Sequence, residues 1–229
     1  MKTPKSLAVL MALAGCVSQV AVAEVFSFTN NLSIPDGQPA GVSDVETVTS
    51  GIAQIGSVQV VLNIVGNFNG DLFCYLRYDN ALAVLLNRPG RTADNPFGYA
   101  DSGLSITLSD SATNGNLHTY QGVVVPATGS PLTGIWQPDG RTTSPASVLD
   151  TDPSTAGLSV FDSLNASGTW TLFIADLSPG GTSELASWQL IVSPVPEPSV
   201  LSLEVLGLVA VSAVVWSRKQ RRLKQPPPS

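Results

Sequence analysis

Apolar and polar residues alternate along the middle of this chain with a period of two. In SVQVVLNIVG, Val58, Val60, Leu62 and Ile64 recur at every second position against Gln59, Val61 and Asn63, the spacing that puts one set of side chains on the buried face of a β-strand. The same device returns in Leu72, Cys74 and Leu76, in Leu104, Ile106 and Leu108, in Trp170, Leu172 and Ile174 of GTWTLFIAD, and in Trp188, Leu190 and Val192 of SWQLIV. A continuous apolar run, Leu82 to Leu86, predicts a further strand. Asn69-Gly70 and Asp79-Asn80 predict tight turns, the first with the positive-φ residues a hairpin prefers. Residues 87–101 read as an irregular loop, and Thr119 to Pro153 as a long polar one that Trp136 and Leu149 pin to the body. Strands punctuated by Gly, Pro, Asn and Asp, with no helical periodicity between them, predict an all-β fold, a jelly-roll-like β-sandwich over residues 24–193.

The two ends break this pattern. Residues 1–23 carry Lys2 and Lys5, then an apolar run, then Ala21-Val22-Ala23, the layout of a signal peptide cleaved before Glu24. Within it, LAGC at Leu13 to Cys16 is a second processing pattern, the bacterial lipobox, which makes Cys16 a candidate lipidation site. At the other end, residues 194–229 run from Pro196-Glu197-Pro198 through an oily segment to a basic cluster. Val200 to Trp216 contains ten Leu or Val, and its 17 residues would rise about 26 Å as a helix, close to the roughly 30 Å of a bilayer core. A single transmembrane helix is therefore expected there. Arg218, Lys219, Arg221, Arg222 and Lys224 follow it and would hold the tail in the cytoplasm, with the β-domain outside. Two prolines cannot sit comfortably in a continuing helix, so the tripeptide reads as an extended, accessible segment at the outer membrane face.

Charge and rare residues narrow the function. The net charge is −6 although both termini are basic, so the folded middle would repel a nucleic-acid backbone. With Cys16 removed by processing, Cys74 has no partner, and it reads as a small buried hydrophobe. His118 is the one histidine; set beside a Gly-Asn turn it reads as an exposed loop residue, and a triad is hard to build around it. Paired carboxylates such as Asp150 and Asp152 stand in a loop and need no catalytic explanation. A non-catalytic module is the expectation. If it binds carbohydrate, Tyr99, Tyr120 and Trp136 in the loops are the candidate aromatics.

Two resemblances sharpen these readings. The blocks IPD at Ile34 to Asp36, VVLNIVGNFNGDLFCYL, and LNASGTWTLFIADLSPGGTSELASWQLIV resemble the proprotein-convertase P domain, or P/Homo B domain, a jelly roll found beside subtilisin-like and other proteases. That resemblance implies a possible protease-accessory role. It also implies a calcium site in some members, for which Asp71, Asp176 and Glu184 are the matching positions here; Asp71 and Asp176 read equally as turn caps. This chain departs from the family at GGTSEL, where an acidic residue and Gly often stand. The C-terminus resembles the PEP-CTERM sorting signal of exopolysaccharide-producing Gram-negative bacteria. It implies recognition and processing by exosortase near Pro196-Glu197-Pro198, a membrane-anchored precursor, and delivery to the cell surface or matrix, with exopolysaccharide or a matrix protein as a partner.

Overall fold

The computed structural model describes residues 22–196, and Val22 to Val195 form one compact unit. Among the described residues there are nine strands: β1 (Glu24–Ile34), β2 (Val42–Val48), β3 (Ile55–Gly66), β4 (Leu72–Tyr78), β5 (Ala81–Asn87), β6 (Leu104–Ser109), β7 (Leu132–Trp136), β8 (Gly168–Asp176) and β9 (Ser183–Pro194). They form two sheets, β1-β9-β3-β6-β7 and β2-β8-β4-β5. Neighbours pair antiparallel except β6 and β7, which run parallel. The expected all-β architecture is present. Among the described residues no helix is long and apolar enough to cross a membrane; the apolar run at 200–216 lies outside them.

The core forms where the alternating positions of the two sheets meet. Val58, Val60, Leu62 and Ile64 of β3 face Leu72, Cys74 and Leu76 of β4 and Trp170, Leu172 and Ile174 of β8 in one buried cluster, with Trp188, Leu190 and Val192 of β9 beside them. Burial on this scale stabilises by roughly 25 cal/mol per Å² of apolar surface. Both large indoles keep a polar partner. Trp170 Nε1 donates to the Ala166 carbonyl and Trp188 Nε1 donates to Asp44 Oδ2 at 2.7 Å. The Cys74 thiol is buried and unpaired, and desolvation pushes its ionisation strongly upward. It packs as a hydrophobe.

Three expectations are corrected. Asn69-Gly70 does not close a hairpin, because β3 and β4 belong to different sheets and the chain crosses between them in a short 3-10 turn. The positive φ falls one residue earlier, on Phe68 (φ 59°, ψ 68°). The polar stretch after Thr119 is partly core: β7 lies within it, and Tyr120, Trp136 and Val148 are fully buried. β1 and β2 also extend the sandwich along residues 24–48, where the alternation had predicted no strand.

Candidate functional site

Four connections gather at one end of the sandwich: β1–β2, β3–β4, β5–β6 and β8–β9. Their meeting point is a cleft of about 450 Å³ lined by Phe68, Asp71, Phe97, Tyr99, Leu177 and Pro179, with the backbone of Gly98, Ala100 and Gly180. Each wall has a local cause. Asn95-Pro96-Phe97-Gly98 is a β-turn closed by Gly98 N–H on the Asn95 carbonyl, with Asn first, Pro second and Gly last, where turn chemistry prefers them. That puts Phe97 at the tip, 73% exposed. Asn95 Nδ2 donates to the carbonyls of Gly90 and Gly98 and braces the turn from within. Gly70 is needed for a different reason: a Cβ there would meet the Phe97 carbonyl oxygen and Tyr99 nitrogen at 2.5 Å. With no side chain in the way, Gly70 N–H reaches the Tyr99 carbonyl at 2.8 Å.

The floor of the cleft is charged. Arg88 Nη2 donates to Asp71 Oδ1 at 3.1 Å and to Ser178 Oγ at 3.1 Å, while its Nε donates to the Gly70 carbonyl. Asp176, at the end of β8, is buried and accepts from Ser178 N–H. Asp36 accepts from Gly180 N–H at 3.0 Å. Burial raises the Asp71 carboxyl above its ordinary value, against the lowering influence of Ser178 and Arg88; burial likewise raises Asp176, with the charges of Asp71 and Asp36 adding to it. Arg88 is lowered by its own burial. One guanidinium is paired with Asp71 and lies near the buried Asp176.

Asp71 and Asp176 lie near one another, but Glu184 does not join them. It pairs across to Val65 and Ser33 in its sheet and lines a separate open groove of about 720 Å³ with Asn63, Asn67, Ser102 and Ser105. Part of that groove is internally bonded: Asn63 Nδ2 donates to Ser187 Oγ, and Ser105 Oγ to Asn63 Oδ1, while the buried Ser183 hydroxyl in its wall has no partner. It reads as a solvated sheet face. Among the described residues no group of three or more His, Cys, Asp or Glu side chains is placed to hold a metal ion. Asp176 accepts the Ser178 N–H as a turn cap does, and the nearer Asp71 oxygen is held by Arg88.

The loop aromatics considered for sugar stacking are not available as a platform. Tyr120 and Trp136 are core residues and Tyr99 is half-buried, packed edge-on against Tyr120 with centroids 4.6 Å apart. The exposed rings are Phe68 and Phe97, which sequence reasoning missed; the one available signal was the Asn-Pro-Phe-Gly turn.

His118 is likewise not an exposed loop residue. It is fully buried, with Nδ1 2.8 Å from Asp139 Oδ2 and Nε2 3.0 Å from the Arg91 carbonyl. A carbonyl can only accept, so Nε2 carries a hydrogen and donates to Arg91, while Nδ1 shares a hydrogen bond with the Asp139 carboxyl. Asp139 also takes Arg141 Nη1 at 3.2 Å and the Asn87 N–H at 3.1 Å. This histidine and carboxylate face the interior and line none of the concavities described above, so the pair works as a fastening. Of the sorting residues, Pro196 is exposed and is the last described. Glu197, Pro198, Arg218, Lys219, Arg221, Arg222, Lys224 and Cys16 lie outside the described residues, as does nearly all of the segment 1–23.

No protein-family model matches the sequence, and no curated protein is similar to it. The fold is similar to a chain in the crystal structure of the Aeromonas sobria serine protease (ASP) with its chaperone (ORF2), with a TM-score of 0.42 and 14% identity over 77% of this chain. It is similar also to the crystal structure of the serine protease of Aeromonas sobria, with a TM-score of 0.40 and 15% identity over 76% of this chain. The match spans 27% of each of those chains. Likeness at this level carries nothing about activity or partners.

Proposed function

We propose that the chain is the precursor of an exported cell-envelope or matrix protein, in which the β-sandwich is a non-catalytic binding module and the C-terminus is a sorting signal processed by exosortase. The observation that carries this reading is the order of features after β9. The last strand ends at Pro194 and the chain leaves the sandwich exposed at Pro196, directly before Glu197-Pro198, the oily segment and five basic residues. Two prolines flanking Glu197 favour an extended, accessible tripeptide, which suits a membrane protease. The binding role is supported by the disposition of charge and apolar surface. His118, Asp139 and Arg141 are spent on holding loops, whereas the cleft at the other cluster presents exposed aromatics to solvent.

Replacing Pro196-Glu197-Pro198 by three alanines in the host tests the sorting half. The expected result is accumulation of an unprocessed, membrane-bound precursor with loss of the surface or released form. Unchanged processing and release would overturn it.

A further inference from the structure

We propose that the cleft between Phe68, Phe97 and Pro179 docks a partner polypeptide through a segment that presents an arginine or lysine beside an apolar residue; this deepens the binding-module reading and rests on it. Four observations carry the inference.

The first is exposed aromatic surface on a rigid support. Phe97 is 73% and Phe68 38% exposed, and neither is on a loose loop. The segment bearing Phe97 is tied by Asn95 to two carbonyls, by Tyr99 N–H to the Pro89 carbonyl at 2.9 Å, and by Gly90 N–H to the His118 carbonyl at 2.7 Å. A ring held this way loses little freedom when a partner covers it.

The second is backbone strain at the opposite wall. Phe68 sits in the left-handed region, where a bulky residue is an outlier. Neighbouring bonds enforce it, from Asn69 N–H to the Asp101 carbonyl and from Asp71 N–H to the Phe68 carbonyl. The effect is to turn an apolar ring outward beside the cleft.

The third is the sign of the charge. Residues 24–195 carry fifteen Asp and Glu against four Arg, and all four arginines are engaged: Arg88 by Asp71, Arg141 by Asp139, Arg91 by the carbonyls of Pro96, Ala146 and Val148, and Arg77 by the Asp79 carbonyl. Asp71 lines the cleft and is paired with Arg88, Asp36 accepts from Gly180 N–H at its rim, buried Asp176 lies close to both carboxylates, and Asp94 stands on the same connection as Phe97. A cationic group gains from this field and from the ring faces.

The fourth is shape. Leu177 and Pro179 extend the apolar lining past the rings, so an aliphatic neighbour of the cation has a surface to cover. A bare metal ion would not use that surface, and a glycan would find little hydrogen-bonding side-chain chemistry beyond Asp71 and Ser178.

The test uses the exported protein isolated from its host, isotope-labelled, with acetyl-Pro-Leu-Arg-Leu-Pro-amide as the probe and its Glu and Gln analogues as comparisons. The expected result is a saturable shift of the amide signals of Gly98, Tyr99, Ala100 and Gly180 by the Arg peptide. The affinity should fall about tenfold in Phe97→Ser, stay within about threefold in Phe97→Tyr, and weaken in high salt. Equal binding of the Glu analogue, or no shift with any peptide, overturns the proposal. So does a cello-oligosaccharide that moves the same amides when the Arg peptide does not. An Arg peptide that moves Asn63, Val65 and Ser105 instead overturns the cleft but leaves the domain standing as a binding module. A urea titration of Phe97→Ser matching the parent shows that lost binding is not lost folding.

Discussion

The molecule buries charge in two places and treats it differently. Around His118, Asp139 and Arg141 the carboxylate is fully engaged: it meets His118 Nδ1, Arg141 Nη1 and Asn87 N–H, and Arg141 also reaches the carbonyls of Leu149 and Asp150. Around Asp71 and Asp176 the balance is reversed, with Arg88 the paired guanidinium, the exposed Asp36 nearby and an open apolar cleft alongside. The closed cluster fastens a long polar connection onto the sandwich, in which Cys74, the one cysteine among the described residues, is unpaired. The open one keeps unspent charge next to exposed rings. Saturated buried polar groups are architecture, and incompletely answered ones beside apolar surface are where a partner can add something.

Several substitutions would sharpen or break that contrast. The largest effect is expected from Asp139→Ala, which strands Arg141 without a counter-charge and leaves His118 Nδ1 without its partner; removing one partner of a buried pair costs about 3–5 kcal/mol, readable as a lowered urea midpoint. His118→Gln keeps one hydrogen-bonding end and loses another, so a loss of about 1–3 kcal/mol is expected in the same assay.

At the open cluster the sign changes. Asp176→Asn keeps an acceptor for Ser178 N–H and removes a buried charge that lies beside Asp71 and Asp36. It should be neutral or stabilising at neutral pH, by at most about 1 kcal/mol. The carboxyl titrates higher in the folded chain than in the unfolded one, so its contribution to stability is fully present below the ordinary aspartate value and is lost as pH rises through the raised one. The advantage of Asp176→Asn should therefore grow across that window and vanish in acid, as thermal melts from pH 3 upward would read. Phe97→Ser is expected to change stability least, within about 0.5 kcal/mol, while abolishing most peptide binding. If Asp139→Ala were harmless, or Asp176→Asn as damaging as Asp139→Ala, the two clusters would not differ in kind.

How far the sequence discloses this depends on distance along the chain. β3, β4, β6, β8 and β9 follow from alternation because each has one face wholly in the core. β2 was hidden by an inverted pattern: Asp44 and Glu46 take the half-buried positions while Val45 faces solvent, since Asp44 turns inward to receive the Trp188 indole. β1 was obscured where its pairing slips between Thr29 and Leu32 around Asn31, which has a positive φ. β7 carries Gly134 between its two buried ends, and so shows no run of apolar alternation. The site was less legible still. Asp71 and Asp176 were identified, but nothing local to Arg88 announces that its side chain turns back to Asp71. The partner of His118 lies 21 residues on, at an Asp-Gly that looks like any loop turn. Local pattern reports which face is buried, and long-range polar pairing leaves no periodic trace.

All of this matters for function only if the sandwich is displayed outside the cell after both ends are trimmed. The intact mass of the protein recovered from the envelope or medium of its host tests that directly. The account predicts a species that begins at Glu24 and ends near Pro196-Glu197-Pro198, without Arg218 to Lys224. A mass that retains the basic tail would contradict it.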